Sequence, residues 1–424
     1  MLIQFPYTEV PPLEVPDDRI GAILEPHPAE PPGGLVEEDI IREGLDSPIG
    51  EKPISIAARR KRRVVILVDD LTRSTPVQKV LPPVLANLDA AGISRKNISI
   101  LVALGTHRPM TSEETTARFG DQLARDYKIV MHTSDENELL DVGEAHSGMP
   151  IQVNPLALDA DFLLAVGRIV PHGVAGFSGG SKMVLPGICG KTATGRTHWM
   201  STDSPMEEIL GLRDNPVRRE MDSVALRVGL SYIVNVVQAT DGRILRVFAG
   251  DFEEAHERGC EYATEIYGCP FERPYPIVVA DAFPATLDLW QAAKAIYASE
   301  LVVEEEGVII LVALCREGVS VAYPQLSRYG YLFSDEARSL FEQGEIPDLV
   351  LASHMARVGR VARGKARVIL VSPGVSREVA NRMGLLWASS AKEALEKATR
   401  LTEKRSKICI MKSASQILPI PKSR

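Results

Sequence analysis

Three loops hold the side chains able to do chemistry. PHGVAGFSGGSKMVLPGICG, residues 171 to 190, sets His172 and Lys182 in a glycine-rich frame, and His198 stands on the segment that follows. DDLTRSTP, 69 to 76, gathers Asp69, Asp70, Leu71, Thr72, Arg73, Ser74 and Thr75, and GTHRP, 105 to 109, carries His107. A lysine amine can carry a covalently attached group. Imidazole titrates closer to neutrality than any other side chain, so paired histidines can serve as alternating acid and base. Glycine gives up side-chain packing and lets backbone amides approach a ligand closely. The combination predicts a reactive, phosphorylated cofactor.

Each signal has an ordinary reading beside it. SGGSK is not a Walker A loop, because Ser181 precedes Lys182, and no G-x-G-x-x-G follows a strand. Lys182 is then a point of covalent attachment, a charge stabiliser or a solvated lysine. DDLTRSTP either holds a phosphate or ribose, with Arg73 forking a carboxylate, or caps a helix through Ser74 or Thr75 with Pro76 in first position. His107 and His172 are either surface imidazoles or a proton-handling pair. His198 is either a metal ligand or an ordinary helical residue. Farther along, DLWQAAKAI, 288 to 296, places Trp290, Gln291 and Lys294 near a helix start. Gln291 and Lys294 share a face, which meets either an anionic substrate or water.

The elements that must position these loops show in the apolar runs. VVILV (64 to 68), ISILVAL (98 to 104) and FLLAV (162 to 166) read as strands buried on both faces, and each runs into one of the three loops. The spacing predicts helices over 77 to 91 and 191 to 200, and Thr111 with Glu114 gives a capping-box start. YIVNVVQ and ILRVFAG, joined through Asp-Gly, read as a hairpin. Three prolines within 268 to 276 predict a boundary, after which strands and helices alternate again. The predicted fold is therefore α/β, with two α/β domains of mostly parallel sheet, 1–270 carrying the three loops and 271–424 carrying the 290s helix. The first 60 residues, rich in Pro and acidic groups, read as a surface-wrapping lead-in with a strand at 1 to 5 and a helix near 37 to 44.

The totals set limits. A chain of 424 residues exceeds one compact core. Net charge −8 and pI near 5.6 argue against nucleic acid or an anionic membrane as partner. The five cysteines lack zinc-type spacing and read as reduced, packed thiols. The N-terminus has no signal-peptide pattern, and the longest strongly apolar run, 307 to 315, is too short to span a bilayer. A cytoplasmic protein is expected.

Taken in order, DDLTRSTP, GTHRPMT, PHGVAGFSGGSKMVLPGICG, the His198 helix and WQAAK resemble the lactate racemase family of nickel-dependent 2-hydroxyacid racemases and epimerases. The resemblance covers nearly the whole chain. It implies a fold with the site in an interdomain cleft. It also implies a cofactor, the Ni(II)-pyridinium-3,5-bisthiocarboxylate mononucleotide (nickel-pincer nucleotide), joined to Lys182, with His198 as nickel ligand. Asp70, Leu71, Thr72 and Arg73 match the cofactor-holding segment. His107 and His172 match the acid/base histidines, and Gln291 and Lys294, with Arg73, the substrate-binding residues. The reaction implied is hydride transfer from C2 of a 2-hydroxyacid through a 2-oxoacid, with cofactor-biosynthesis proteins as expected partners. Trp290 stands where lactate-specific members carry tyrosine, and an indole donates but cannot accept a hydrogen bond. The substrate and the oligomeric state stay open. Two other readings of the same residues are a zinc-dependent lyase or hydrolase using the three histidines and a non-catalytic nickel-cofactor-binding homologue.

Overall fold

The computed structural model describes residues 1–202 and 204–422. The chain forms two compact α/β units, one built from 28–200 and 211–266, the other from 1–27, 201–210 and 267–424. In the first, six strands lie in the order Ile244–Gly250, Leu230–Gln238, Phe162–Arg168, Val64–Asp69, Ile98–Ala103, Lys128–Met131. Only the Ile244–Gly250 strand is antiparallel to its neighbour. Val64–Asp69 is buried at every position, as an unbroken apolar run in the middle of a two-sided sheet must be. The helix Val77–Ala90 packs Val80, Leu81, Val84 and Leu88 over one face. The capping box at Thr111 forms as predicted.

In the main sheet of the second unit all six strands are parallel, in the order Leu386–Ala388, Ala366–Val371, Val303–Val312, Tyr275–Asp281, Ile408–Met411, Ile20–Leu24. The last of these changes the linear division at residue 270. The first 27 residues are not a surface lead-in. Ile20–Leu24 pairs with Ile408–Met411, and Ile3, Tyr7, Val10, Leu13 and Val15 are buried in the core of this unit. Segment 201–210 joins the same unit, where Arg357 donates to Ser201 Oγ at 2.9 Å and Thr202 Oγ1 lies 2.7 Å from Ser353 Oγ.

Two of the longer helices have no counterpart in the predicted pattern. Leu349–Gly359 is buried from Val350 onward, so it has no polar face to give an amphipathic period. Pro216–Val228 did carry a readable start, Asn215 as N-cap followed by Pro216.

Candidate active site

All three loops leave the carboxyl ends of neighbouring parallel strands. Strand order reverses between Phe162–Arg168 and Val64–Asp69, and an open α/β sheet binds ligands outside such a switch point. The Arg168 guanidinium crosses that point to bond Ser74 Oγ.

After Val64–Asp69 the chain turns on two adjacent carboxylates with different work. Asp69 is buried against Arg118 and accepts the Thr75 hydroxyl. Arg118 also donates to the carbonyls of Asp69, Arg73 and Thr75, closing the loop from beneath. Neither Ser74 nor Thr75 caps the following helix, whose N-cap is Pro76 with no side-chain bond. The helix-cap reading of DDLTRSTP therefore fails. Asp70, 3% exposed, accepts from Thr72 N at 3.0 Å and Thr72 Oγ1 at 2.5 Å, while its other oxygen lies 2.6 Å from His107 Nδ1. Burial alone would raise this carboxyl. The bond and charge of His107, with Arg73 and Thr72, outweigh it and hold Asp70 well below the usual carboxylate range. Arg73 donates to Thr72 Oγ1 at 2.8 Å, and Leu71 is exposed.

The GTHRP turn is seated on the glycine loop, since Gly105 N donates to Gly187 O at 2.9 Å. Four glycines of that loop are required by the surrounding protein, a use not expected from the sequence. A Cβ on Gly176 would lie 1.9 Å from Leu212 O, on Gly179 2.5 Å from Asn235 Oδ1, on Gly180 2.8 Å from the His256 ring, and on Gly187 2.2 Å from Met183 O. They let the loop sink into its own protein. Within 174–190 every residue is buried except Lys182.

A set of buried polar groups holds the loop down. Arg218, with no exposed surface, donates to Gly179 O (3.2 Å), Ser181 Oγ (3.0 Å), Ala175 O (3.3 Å) and Phe177 O. Asn235 accepts from Gly180 N at 2.8 Å, and Ser181 Oγ donates to Asp222, which pairs with Arg213. His256 lies 2.8 Å from Ser178 O; burial holds its pKa far down, so the neutral ring donates there. None of these residues was singled out from the sequence. Asn235 alone left a sign, as the one polar residue inside YIVNVV, because a buried polar group in a strand needs a partner.

His172 Nδ1 accepts from Val174 N at 3.1 Å and Ala175 N at 3.3 Å. His198 stands in the last turn of Lys191–Met200, with Nδ1 2.8 Å from Thr194 O. A carbonyl only accepts, so Nδ1 carries the proton and Nε2 the lone pair. This is the arrangement of metal-ligating histidines, whose other ring N–H is bonded to a backbone carbonyl or carboxylate. The zinc reading needs several such donors on one ion, and among the described residues no three His, Cys, Asp or Glu side chains are so grouped. The five cysteines are free and buried, and Cys189 Sγ bonds Val184 O at 3.2 Å in a packing role.

In the other unit the helix Leu289–Glu300 starts just past the carboxyl end of Tyr275–Asp281 and is capped by Asp288. Lys294 Nζ donates to Gln291 Oε1 at 2.7 Å, confirming their shared face. Trp290 is held between two rings, His354 at 3.8 Å and Tyr323 at 4.7 Å, both stacked. Among the described residues no helix is long and apolar enough to cross a membrane.

Comparison with known proteins agrees over the whole length. The lactate racemase N-terminal domain profile matches residues 8–209, and the C-terminal domain profile matches 274–418. The lactate racemase of Thermoanaerobacterium thermosaccharolyticum is 31% identical over 413 residues, 96% of each chain. That of Lactiplantibacillus plantarum is 32% identical over 405 residues, 94% of each. The structure of the Thermoanaerobacterium thermosaccharolyticum lactate racemase apoprotein superposes with TM-score 0.88 and 30% identity, covering 99% of this chain and 100% of that one. A Thermotoga maritima crystal structure, 21% identical with TM-score 0.69 over 91% and 98% of the two chains, shares the fold. With both domain profiles matched in order and full-length relatives above 30% identity, this chain belongs to the lactate racemase family and is an isomerase of the racemase type.

Proposed function

We propose that the enzyme inverts C2 of a small 2-hydroxyacid by moving its hydrogen as hydride, using the nickel-pincer nucleotide attached at Lys182. Lys182 carries this reading: it is the single side chain that a seventeen-residue buried loop, clamped by Arg218, Asn235 and His256, leaves unburied. A loop held this firmly fixes whatever is joined to the Lys182 amine. The donor set suits the group as well, since the Thr194 carbonyl fixes the His198 proton on Nδ1, the tautomer in which the neutral ring ligates a metal through Nε2. When bound, the cofactor supplies a hydride acceptor and donor, chemistry that no side chain of this chain possesses.

The chain's own residues do the rest. Proton abstraction at C2 would leave a dianion beside the carboxylate. Loss of hydride with the hydroxyl proton gives a neutral 2-oxoacid instead, planar at C2 and open on both faces. His107, oriented by Asp70, and His172 are the groups that meet the substrate oxygen and handle its proton. Arg73 supplies a guanidinium for the carboxylate, and Gln291 and Lys294 a polar pair for substrate oxygens. Asp70 to Arg73 would hold the nucleotide, at the switch point of the sheet.

Intact mass and metal analysis of protein made in a cofactor-producing host tests this. The adduct mass and stoichiometric nickel are expected on wild type, and neither on Lys182→Ala. Protein that racemises 2-hydroxyacids with no added mass and no nickel would overturn the reading.

A further inference from the structure

We propose that the two proton-handling histidines are held in opposite tautomers by their partners, so that the resting enzyme has one base, His107, and one hydrogen-bond donor, His172. The proposal rests on the reading above only in taking both rings to meet the substrate oxygen.

The partners leave little choice. Asp70 also takes two bonds from Thr72, is held below the usual carboxylate range and can only accept, so His107 Nδ1 carries the hydrogen of the 2.6 Å bond and, in the neutral ring, Nε2 carries the lone pair. At His172 the Nδ1 atom faces the N–H groups of Val174 and Ala175, which can only donate. Nδ1 there must hold the lone pair, and the neutral ring has its hydrogen on Nε2.

The second arrangement is not easily reversed. Val174 and Ala175 are buried, and the Ala175 carbonyl is held by Arg218 Nη2 at 3.3 Å and by Phe177 N at 2.8 Å. The two amides cannot swing aside without pulling on the clamped loop. Moving the proton of His172 to Nδ1 would set an N–H against two N–H groups and forfeit both bonds.

The two enantiomers therefore meet different groups. For the one whose hydroxyl lies at His107, the O–H proton passes to Nε2. The C2–H electron pair would then leave as hydride, for which the bound cofactor would supply the acceptor, as the C2–O bond becomes double. The imidazolium formed stays paired with Asp70. The other enantiomer meets the Nε2–H of His172, which binds the oxygen but has no lone pair to take its proton. Its oxidation must wait for the tautomer to change.

Nitrogen-15 NMR of the full chain labelled at histidine, without cofactor, tests the assignment, with His107→Gln and His172→Gln identifying the two rings. Multiple-bond couplings from the carbon-bound ring protons should show Nδ1–H for His107 and Nε2–H for His172. The same tautomer at both, or a cationic His172 at neutral pH, overturns the proposal. In single turnovers of the holoenzyme, one enantiomer should yield 2-oxoacid about tenfold or more faster than the other, equivalent to about 1.4 kcal/mol in barrier. Equal rates also overturn it. Opposite tautomers with no 2-oxoacid from either enantiomer would uphold the assignment and sink the hydride reaction instead.

Discussion

Asp70 shows how much a single buried carboxylate decides at this site. It lies against His107 Nδ1, and in the reaction proposed above it would set which ring nitrogen is basic and stabilise the charge that follows proton uptake. Asp70→Asn keeps the shape but offers an amide whose N–H can bond His107 Nδ1, favouring the tautomer with its hydrogen on Nε2. We expect kcat to fall by about two to four orders of magnitude, as when an orienting carboxylate is lost from a histidine pair. KM and the melting temperature should move little. Steady-state kinetics with thermal melts would check this, and a variant with unchanged kcat would remove the positioning role of Asp70. Asp70, Arg73 and His107 stood out in the sequence as candidates because charged and imidazole groups directly after an apolar run have few structural uses. Arg118 and Arg218 did not. They lie on helices far from the loops they grip, and nothing local marks an arginine whose acceptors are backbone carbonyls some forty residues away.

At the scale of elements, the strands and most helices could be read off because their apolar spacing is a local property. The purpose of the glycine loop could not. Its composition is the same whether glycine admits a ligand or lets the backbone touch protein, and at Gly176, Gly179, Gly180 and Gly187 the structure shows the second. Gly176 is the sharpest case, with φ of +74° and a Cβ position 1.9 Å from Leu212 O and 2.7 Å from Asn215 Nδ2. Asn215 caps the helix that carries Arg218, so a methyl group here pushes on the very helix that clamps the loop. Gly176→Ala should cost about 3–5 kcal/mol, in the range of severe packing and backbone defects. Gly242 provides the control, with φ of +91° and open space around it. Gly242→Ala should cost only about 1 kcal/mol, the conformational penalty alone. Urea melts of the two variants would separate these, and equal losses would show that the close contact at Gly176 is not what demands glycine.

For the whole molecule, the lesson lies in where the chain was divided. Proline-rich composition near 270 marks a junction, but it cannot reveal that residues 1–27 and 201–210 fold with what comes after it. The strand IGAIL is short, interrupted by Gly21 and half-exposed, and its partner lies at the other end of the chain, Ile20 opposite Ile408. Gly21 itself is needed because a Cβ there would sit 2.3 Å from the Tyr275 ring. Cutting at 270 would strip the second unit of an edge strand and of Ile3, Tyr7, Val10, Leu13 and Val15 from its core. Burying large apolar side chains is worth about 1.5–3 kcal/mol each, so their combined loss is on the order of 10 kcal/mol. A domain's entire net stability is about 5–15 kcal/mol. Residues 271–424 expressed alone should therefore lack a cooperative melt and bind an apolar dye, whereas the full chain melts sharply. A sharp transition with dispersed amide resonances from that fragment would mean the N-terminal segment only decorates a core able to form without it. The entropy of bringing residue 20 to residue 408 is recovered only if that segment completes the core, and the buried side chains on both sides of the pairing show that it does.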